Sequence, residues 1–163
     1  MRAFVQRVTA AHVTVAGETV AAIGPGLLVY VGFHRADGSR ELAAVAEKIP
    51  VLRIFDDEAG KLNRSVADSG GAILVVSAFT LYGDARRGRR PSFDHSAPAE
   101  RARELFENFV DRLRGTALSI AAGRFQENML VQSINDGPVT LLLDVPPAEP
   151  GGTEENGGVT PQG

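Results

Sequence analysis

No cysteine occurs anywhere in the 163 residues, which excludes disulfides, thiolate metal centres and a cysteine nucleophile, and fits a reducing cytoplasm. Long hydrophobic runs are missing too. AILVV at Ala72 to Val76 and VTLLL at Val139 to Leu143 fall far short of the ~20 apolar residues a membrane-spanning helix needs, so they read as buried strands. The opening MRAFVQRVTAAHVTV alternates polar and apolar residues and lacks the charged start, apolar run and cleavage site of a secretion signal. No membrane partner is expected. Nor is there a GxSxG elbow or a glycine-rich phosphate loop, because Gly24-Pro25-Gly26 lacks the following helix and lysine that such a loop requires. No metal-ligand spacing joins His12, His34 and His95, so neither a metal nor a cofactor is expected.

Positive charge is also short. A formal net charge of -3 argues against a broadly basic nucleic-acid binder, and no DNA partner is expected. The deficit sits in the last segment, Pro146 to Gly163, where Glu149, Glu154 and Glu155 stand without a lysine or arginine; the rest of the chain is formally neutral. That segment is rich in proline and glycine and holds almost nothing apolar, so it reads as a flexible tail after a single domain over residues 1–145. Positive charge gathers at Arg86, Arg87, Arg89 and Arg90, around Gly88. Such a cluster is a solvated loop or a phosphate-binding patch, since guanidinium groups suit phosphate through paired N–H donors.

Periodicity predicts an α/β domain with mixed and antiparallel sheet and two main helices. Ala3 to Val8 and His12 to Ala16 alternate as strands, Gly17-Glu18 suggests a hairpin, and Gly26 to Phe33 forms an apolar strand. Ser39 is placed to cap a helix through Lys48, with Leu42, Val45, Ala46 and Ile49 on one face before Pro50. A second hairpin turns at Asp56 to Gly60, and Ala72 to Val76 forms a central strand running into Ser77-Ala78-Phe79-Thr80-Leu81. Ser96, Pro98 and Glu100 open a longer helix, with Ala102, Leu105, Phe106, Phe109, Val110 and Leu113 on its apolar face until Gly115. Ala117 to Ala122, Met129 to Ile134 and Val139 to Val145 then read as strands, the last two around an Asn135-Asp136-Gly137-Pro138 corner.

Two segments admit chemistry without requiring it. Ser77 and Thr80 flank a strand end, where hydroxyls and free backbone N–H groups can face a ligand, yet no base for a serine nucleophile is identifiable. The Asn135 to Pro138 run is an ordinary turn by composition.

In this order, FVQRVTAAHVTV, RIFDDEAGKLNRSV, VVSAFTLYGD, GRRPSF and NDGPVTLLLD resemble the D-aminoacyl-tRNA deacylase family over roughly Met1 to Val145. Ser77 to Leu81 resembles its SQFTL motif and Asn135 to Thr140 its NxGPVT motif. The resemblance implies a homodimer whose sheets pack across a two-fold axis, with tRNA as partner and the ester of a D-amino acid, or glycine, as substrate. It implies catalytic roles for Ser77, Phe79 and Thr80, the backbone N–H groups near Phe79 and Thr80 taking the developing oxyanion and Thr80 orienting water. Gly137 and Pro138 would enter from the neighbouring subunit as a cis peptide that excludes L residues. Arg7 would brace that loop, Met129 would line the pocket, and Asn135 belongs to the same substrate-binding set. The 2'-hydroxyl of the terminal adenosine would assist in place of a protein base, and Arg86 to Arg90 would meet tRNA phosphate. Two departures stand out: Ala78 replaces the motif's glutamine, and Gln126-Glu127-Asn128 precedes Met129 where a small FGAxM pattern is usual. A tRNA-end binding dimer without turnover, or a dimerisation module alone, are the competing readings.

Overall fold

The computed structural model describes residues 1–148; most of the acidic tail therefore lies outside the described residues. Within them, Arg40 Nη2 donates to the Pro146 carbonyl at 2.9 Å and the Ala148 N–H to Glu41 Oε1 at 3.2 Å, so chain contacts continue past residue 145.

One mixed sheet dominates, built from β1 (Arg2–Val15), β2 (Glu18–Ile23), β3 (Gly26–Gly32), β6 (Ala72–Ser77), β7 (Ser119–Ala122) and β8 (Met129–Asp144). β1 pairs antiparallel with β8 along its length, while β3 and β2 share its other edge. β3, β6 and β7 are parallel, which requires crossovers, and the helices α1 (Ser39–Lys48) and α3 (Ala99–Arg114) supply them. A small hairpin, β4 (Phe55–Asp56) and β5 (Leu62–Arg64), turns over Asp57 to Lys61, one residue later than the expected Asp56 to Gly60, followed by the single-turn α2 (Val66–Ser69). The sheet curls until β2 approaches β6 and β7, close to a barrel.

β3 and β6 are buried on both faces, as their unbroken apolar runs require. Val5, Val29 and Val75 pack under Leu42 of α1 and Phe106 and Phe109 of α3, while Val13, Leu28, Leu74 and Val76 form a second cluster inside the curl. The six residues foreseen on the apolar face of α3 are the six that are buried. Among the described residues no helix is long and apolar enough to cross a membrane.

Several boundaries differ from the sequence reading. β1 is one strand of 14 residues rather than two, because Arg7 and Val8 are both buried and break the alternation at a pairing irregularity. β8 likewise runs through its corner: Gln6 pairs Thr140 and Val8 pairs Asn135, so residues 136–139 bulge out opposite the single residue Arg7. The first hairpin turns one residue early, at Ala16 and Gly17 with φ 49° and 86°. Ser39 does not cap α1. Gly38 occupies that position, and its N–H donates to Glu41 Oε2 at 2.8 Å, the half of a capping box that the third helical residue supplies, while no side chain caps the helix from the glycine itself.

Gly26 opens β3 so close to β6 that an added Cβ would lie 1.9 Å from the Ala72 carbonyl oxygen. Backbone cannot yield there without separating the parallel pair. Gly26→Ala is expected to cost about 3 kcal/mol in chemical denaturation, whereas Gly24→Ala, which meets nothing within 4 Å, should shift the midpoint little.

A candidate active-site cleft and the Gly137–Pro138 loop

β6 ends because its ladder partner runs out. The Ala78 N–H makes the last bond, to the Val31 carbonyl at 2.8 Å, and the chain then tightens into a 3-10 turn over Phe79–Tyr82. The turn's first internal bond is from the Leu81 N–H to the Ala78 carbonyl at 3.1 Å. The N–H groups of Phe79 and Thr80 fall between ladder and turn, and neither has a protein acceptor among the described residues. Two long-range bonds fix the turn: Ser96 Oγ donates to the Phe79 carbonyl at 3.2 Å, and Arg2 Nη1 to the Leu81 carbonyl at 2.9 Å.

Beside it opens a cleft of about 630 Å³, walled by Ser77, Ala78 and Phe79, by Phe93, Ser96 to Ala99 and Ala102, and by Phe125, Gln126, Glu127 and Met129. The Phe79 ring is exposed and meets Phe93 edge-on at 5.0 Å. No histidine lines this cleft. His34 and His95 stack on each other at 5.8 Å in a separate groove beside Tyr82. Burial pushes His34 below the usual histidine range, and its Nδ1 accepts the Ala36 N–H. The cleft therefore lacks the base a serine nucleophile needs, and its one charged side chain is Glu127. Among the described residues no group of histidines and carboxylates could hold a metal.

The structure brings Ser77, Phe79 and Met129 together on the cleft, with Thr80 exposed at its rim. Gly137 and Pro138 do not line it; they lie on the bulge of β8, exposed, with their peptide bond cis and Gly137 at φ 117°. Beneath them Arg7 is buried and bonded through Nε and Nη1. Its Nε lies 2.9 Å from Asp136 Oδ2, and its Nη1 donates to the Ile54 carbonyl at 2.9 Å and to Asp56 Oδ2 at 3.3 Å. Asn135 turns inward, donating through Nδ2 to the carbonyls of Arg7 at 2.8 Å and Val139 at 3.0 Å. Its amide braces the bulge from within. Arg86 is held by Asp84 at 2.6 Å, which keeps that carboxyl well below the usual carboxylate range, whereas Arg87, Arg89 and Arg90 are exposed with no carboxylate partner among the described residues.

The profile of the D-Tyr-tRNA(Tyr) deacylase family matches residues 4–144. The chain belongs to that family. Among its deacylase relatives, the D-aminoacyl-tRNA deacylase of Heliobacterium modesticaldum is 58% identical over 144 residues, covering 88% of this chain and 96% of the relative. That of Carboxydothermus hydrogenoformans is 55% identical over 145 residues, covering 89% and 100%. A solved structure described as c-Myc DNA Unwinding Element Binding Protein superposes with TM-score 0.85 at 43% identity, covering 90% of this chain and 99% of that one. A probable eukaryotic D-amino acid tRNA deacylase shares the fold at TM-score 0.77 and 17% identity, covering 88% and 98%.

Within this deacylase fold, sequence reasoning passed over the acceptors of Arg7, which come from the distant β4 region, and over Phe93 and Ser96. Nothing local marks them. Arg7→Lys replaces a planar fork by a single ammonium that cannot reach Asp136 and Ile54 together. It is expected to cost about 1–3 kcal/mol in denaturant unfolding, with faster amide exchange at Gly137 and Val139; unchanged exchange would remove Arg7 as the brace.

Proposed function

We infer that the chain hydrolyses the ester of D-aminoacyl-tRNA, releasing the D-amino acid and free tRNA. The observation that carries this reading is the pair of unpartnered N–H groups, Phe79 and Thr80, at the edge of a cleft that no histidine lines. Such donors bind an ester carbonyl and gain strength as its oxygen becomes an oxyanion. Water adds to the carbonyl carbon, the bond to the ribose oxygen breaks, and that oxygen leaves with a proton. Thr80 at the rim suits the positioning of water, Ser77 and Met129 shape the wall, and the vicinal 2'-hydroxyl of the terminal adenosine takes the part of the absent base. Neither a metal nor a cofactor has a step to perform.

Handedness is imposed, in this reading, by Gly137 and Pro138 of a second copy. The bulge is exposed and remote from its own cleft, and rigid backbone carbonyls there would accept the substrate's α-ammonium while leaving no room for an L side chain. Glycine, having no side chain, passes as a D residue does, so glycyl-tRNA is a second substrate. Support for the homodimer comes from Leu130, Ile134 and Leu142, exposed large apolar residues along the outward face of β8. Arg87, Arg89 and Arg90 are free to meet tRNA phosphates, while Arg86 is committed to Asp84. Charged tRNA as substrate places the reaction in the cytoplasm. Ala78 on the cleft wall favours one rival, a tRNA 3'-end binding dimer without turnover, because a methyl group offers the ester no hydrogen bond.

Amino-acid release from D-Tyr-tRNA and L-Tyr-tRNA, with EDTA present, separates these readings. The wild type is expected to cleave the D ester alone, and Pro138→Ala to lose at least about tenfold in activity or in D-over-L discrimination, a 1.4 kcal/mol effect. Binding of tRNA with cleavage of neither ester would establish the rival. Sedimentation should find a dimer that Ile134→Lys dissociates. Alanine at Arg87, Arg89 or Arg90 should lower the slope of log affinity for tRNA against log salt by about one each.

A further inference from the structure

Ser96 stands half-buried on the cleft wall just before α3, and its place is fixed without help from the turn after β6. Its N–H donates to the Phe93 carbonyl at 2.9 Å, and the Ala97 N–H to the Phe33 carbonyl at 2.9 Å, which ties the segment to the chain leaving β3. From there Ser96 Oγ donates to the Phe79 carbonyl at 3.2 Å. A carbonyl can only accept, so the hydroxyl proton lies on that bond.

The Phe79 carbonyl and the Thr80 N–H are the two ends of one trans peptide, planar and rigid, so they point in opposite directions and turn together. A donor that holds the carbonyl therefore sets the direction of the N–H. It also strengthens that N–H, because the electron density drawn onto the carbonyl oxygen comes from the nitrogen; along a chain of hydrogen bonds the gain is roughly 10–30% per bond. The Phe79 N–H is held differently. It shares its peptide with the Ala78 carbonyl, which accepts the Leu81 N–H inside the turn at 3.1 Å. Among the described residues Ser96 is the one side chain that donates to either peptide.

We propose that Ser96 is a positioning residue for ester hydrolysis: through the Phe79–Thr80 peptide its hydroxyl aims the Thr80 N–H at the developing oxyanion and makes it a stronger donor. This rests on the Phe79 and Thr80 N–H groups being the oxyanion donors. An oxyanion forms only on the way over the barrier, so the contribution falls on kcat and leaves KM nearly as it is. Losing an oxyanion donor outright costs about 10²–10³ in kcat. Loosening one of two, with water able to take the hydroxyl's place, is expected to cost about five- to twentyfold.

The test measures deacylation of D-Tyr-tRNA by wild type, Ser96→Ala and Ser96→Thr, together with the backbone amide resonances of the three isotope-labelled proteins. Ser96→Ala is expected to lower kcat by about five- to twentyfold with KM within about twofold, and Ser96→Thr, which keeps the hydroxyl, to recover most of that loss. In the spectra the Thr80 amide of Ser96→Ala should move further than the Phe79 amide, and it should return toward its wild-type position in Ser96→Thr. Wild-type kcat in Ser96→Ala, or a loss carried by KM instead, would overturn the assignment. So would any variant in which kcat and the Thr80 resonance part company, because a merely structural role links neither to the other. A wild type that fails to cleave the D ester overturns the hydrolase reading and this inference with it, whereas D-ester cleavage untouched by Ser96→Ala overturns this inference alone.

Discussion

A guanidinium inside a β-sheet has to be hydrogen-bonded and neutralised from several directions, and at Arg7 that requirement ties three distant stretches of chain together. Asp136 comes from the bulge of β8, Ile54 and Asp56 from the segment entering the small hairpin, and Arg7 itself from the middle of β1. Dispersing four residues of β8 opposite this one residue of β1 is what pushes Gly137 and Pro138 outward. Asn135 closes the base of the bulge by bonding the backbone of both strands. The exposed peptide is thus as well determined as a core position, although it projects from the surface.

The cleft follows a contrasting rule. Its walls are uncharged except for Glu127 and hold no histidine, so it carries little that titrates near neutrality. An uncharged, partly enclosed site strengthens the interaction of N–H dipoles with a developing negative charge, and no side-chain proton has to be moved into or out of the wall. The cation and carboxylate chemistry of the chain lies elsewhere, in the Arg86 to Arg90 loop and the groove of His34 and His95.

Much of this was legible in the sequence because burial leaves periodic traces. α3 could be read residue by residue from its 3.6-residue stripe, and β3 and β6 from unbroken apolar runs. Where two strands bulge against each other the period slips, so β1 and β8 each looked like two strands. The cap of α1 was misplaced because the capping oxygen belongs to Glu41, three residues into the helix beyond a glycine. At the site, motif resemblance singled out Ser77, Phe79, Gly137 and Pro138, but composition alone left them as a strand end and a turn. The separation of the Gly137–Pro138 bulge from the cleft, the engagement of Arg86 and the bond from Ser96 to the Phe79 carbonyl are three-dimensional facts with no local signature.

The bonds that hold the 3-10 turn after β6 come from opposite ends of the domain: Arg2 lies at the start of β1 and Ser96 just before α3. The two free N–H groups are therefore oriented when the domain folds, not when an ester arrives. Their conformational entropy is lost once, during folding, and is not charged against each turnover. Catalytic competence and native structure are then a single cooperative property, gained and lost together along the folding transition.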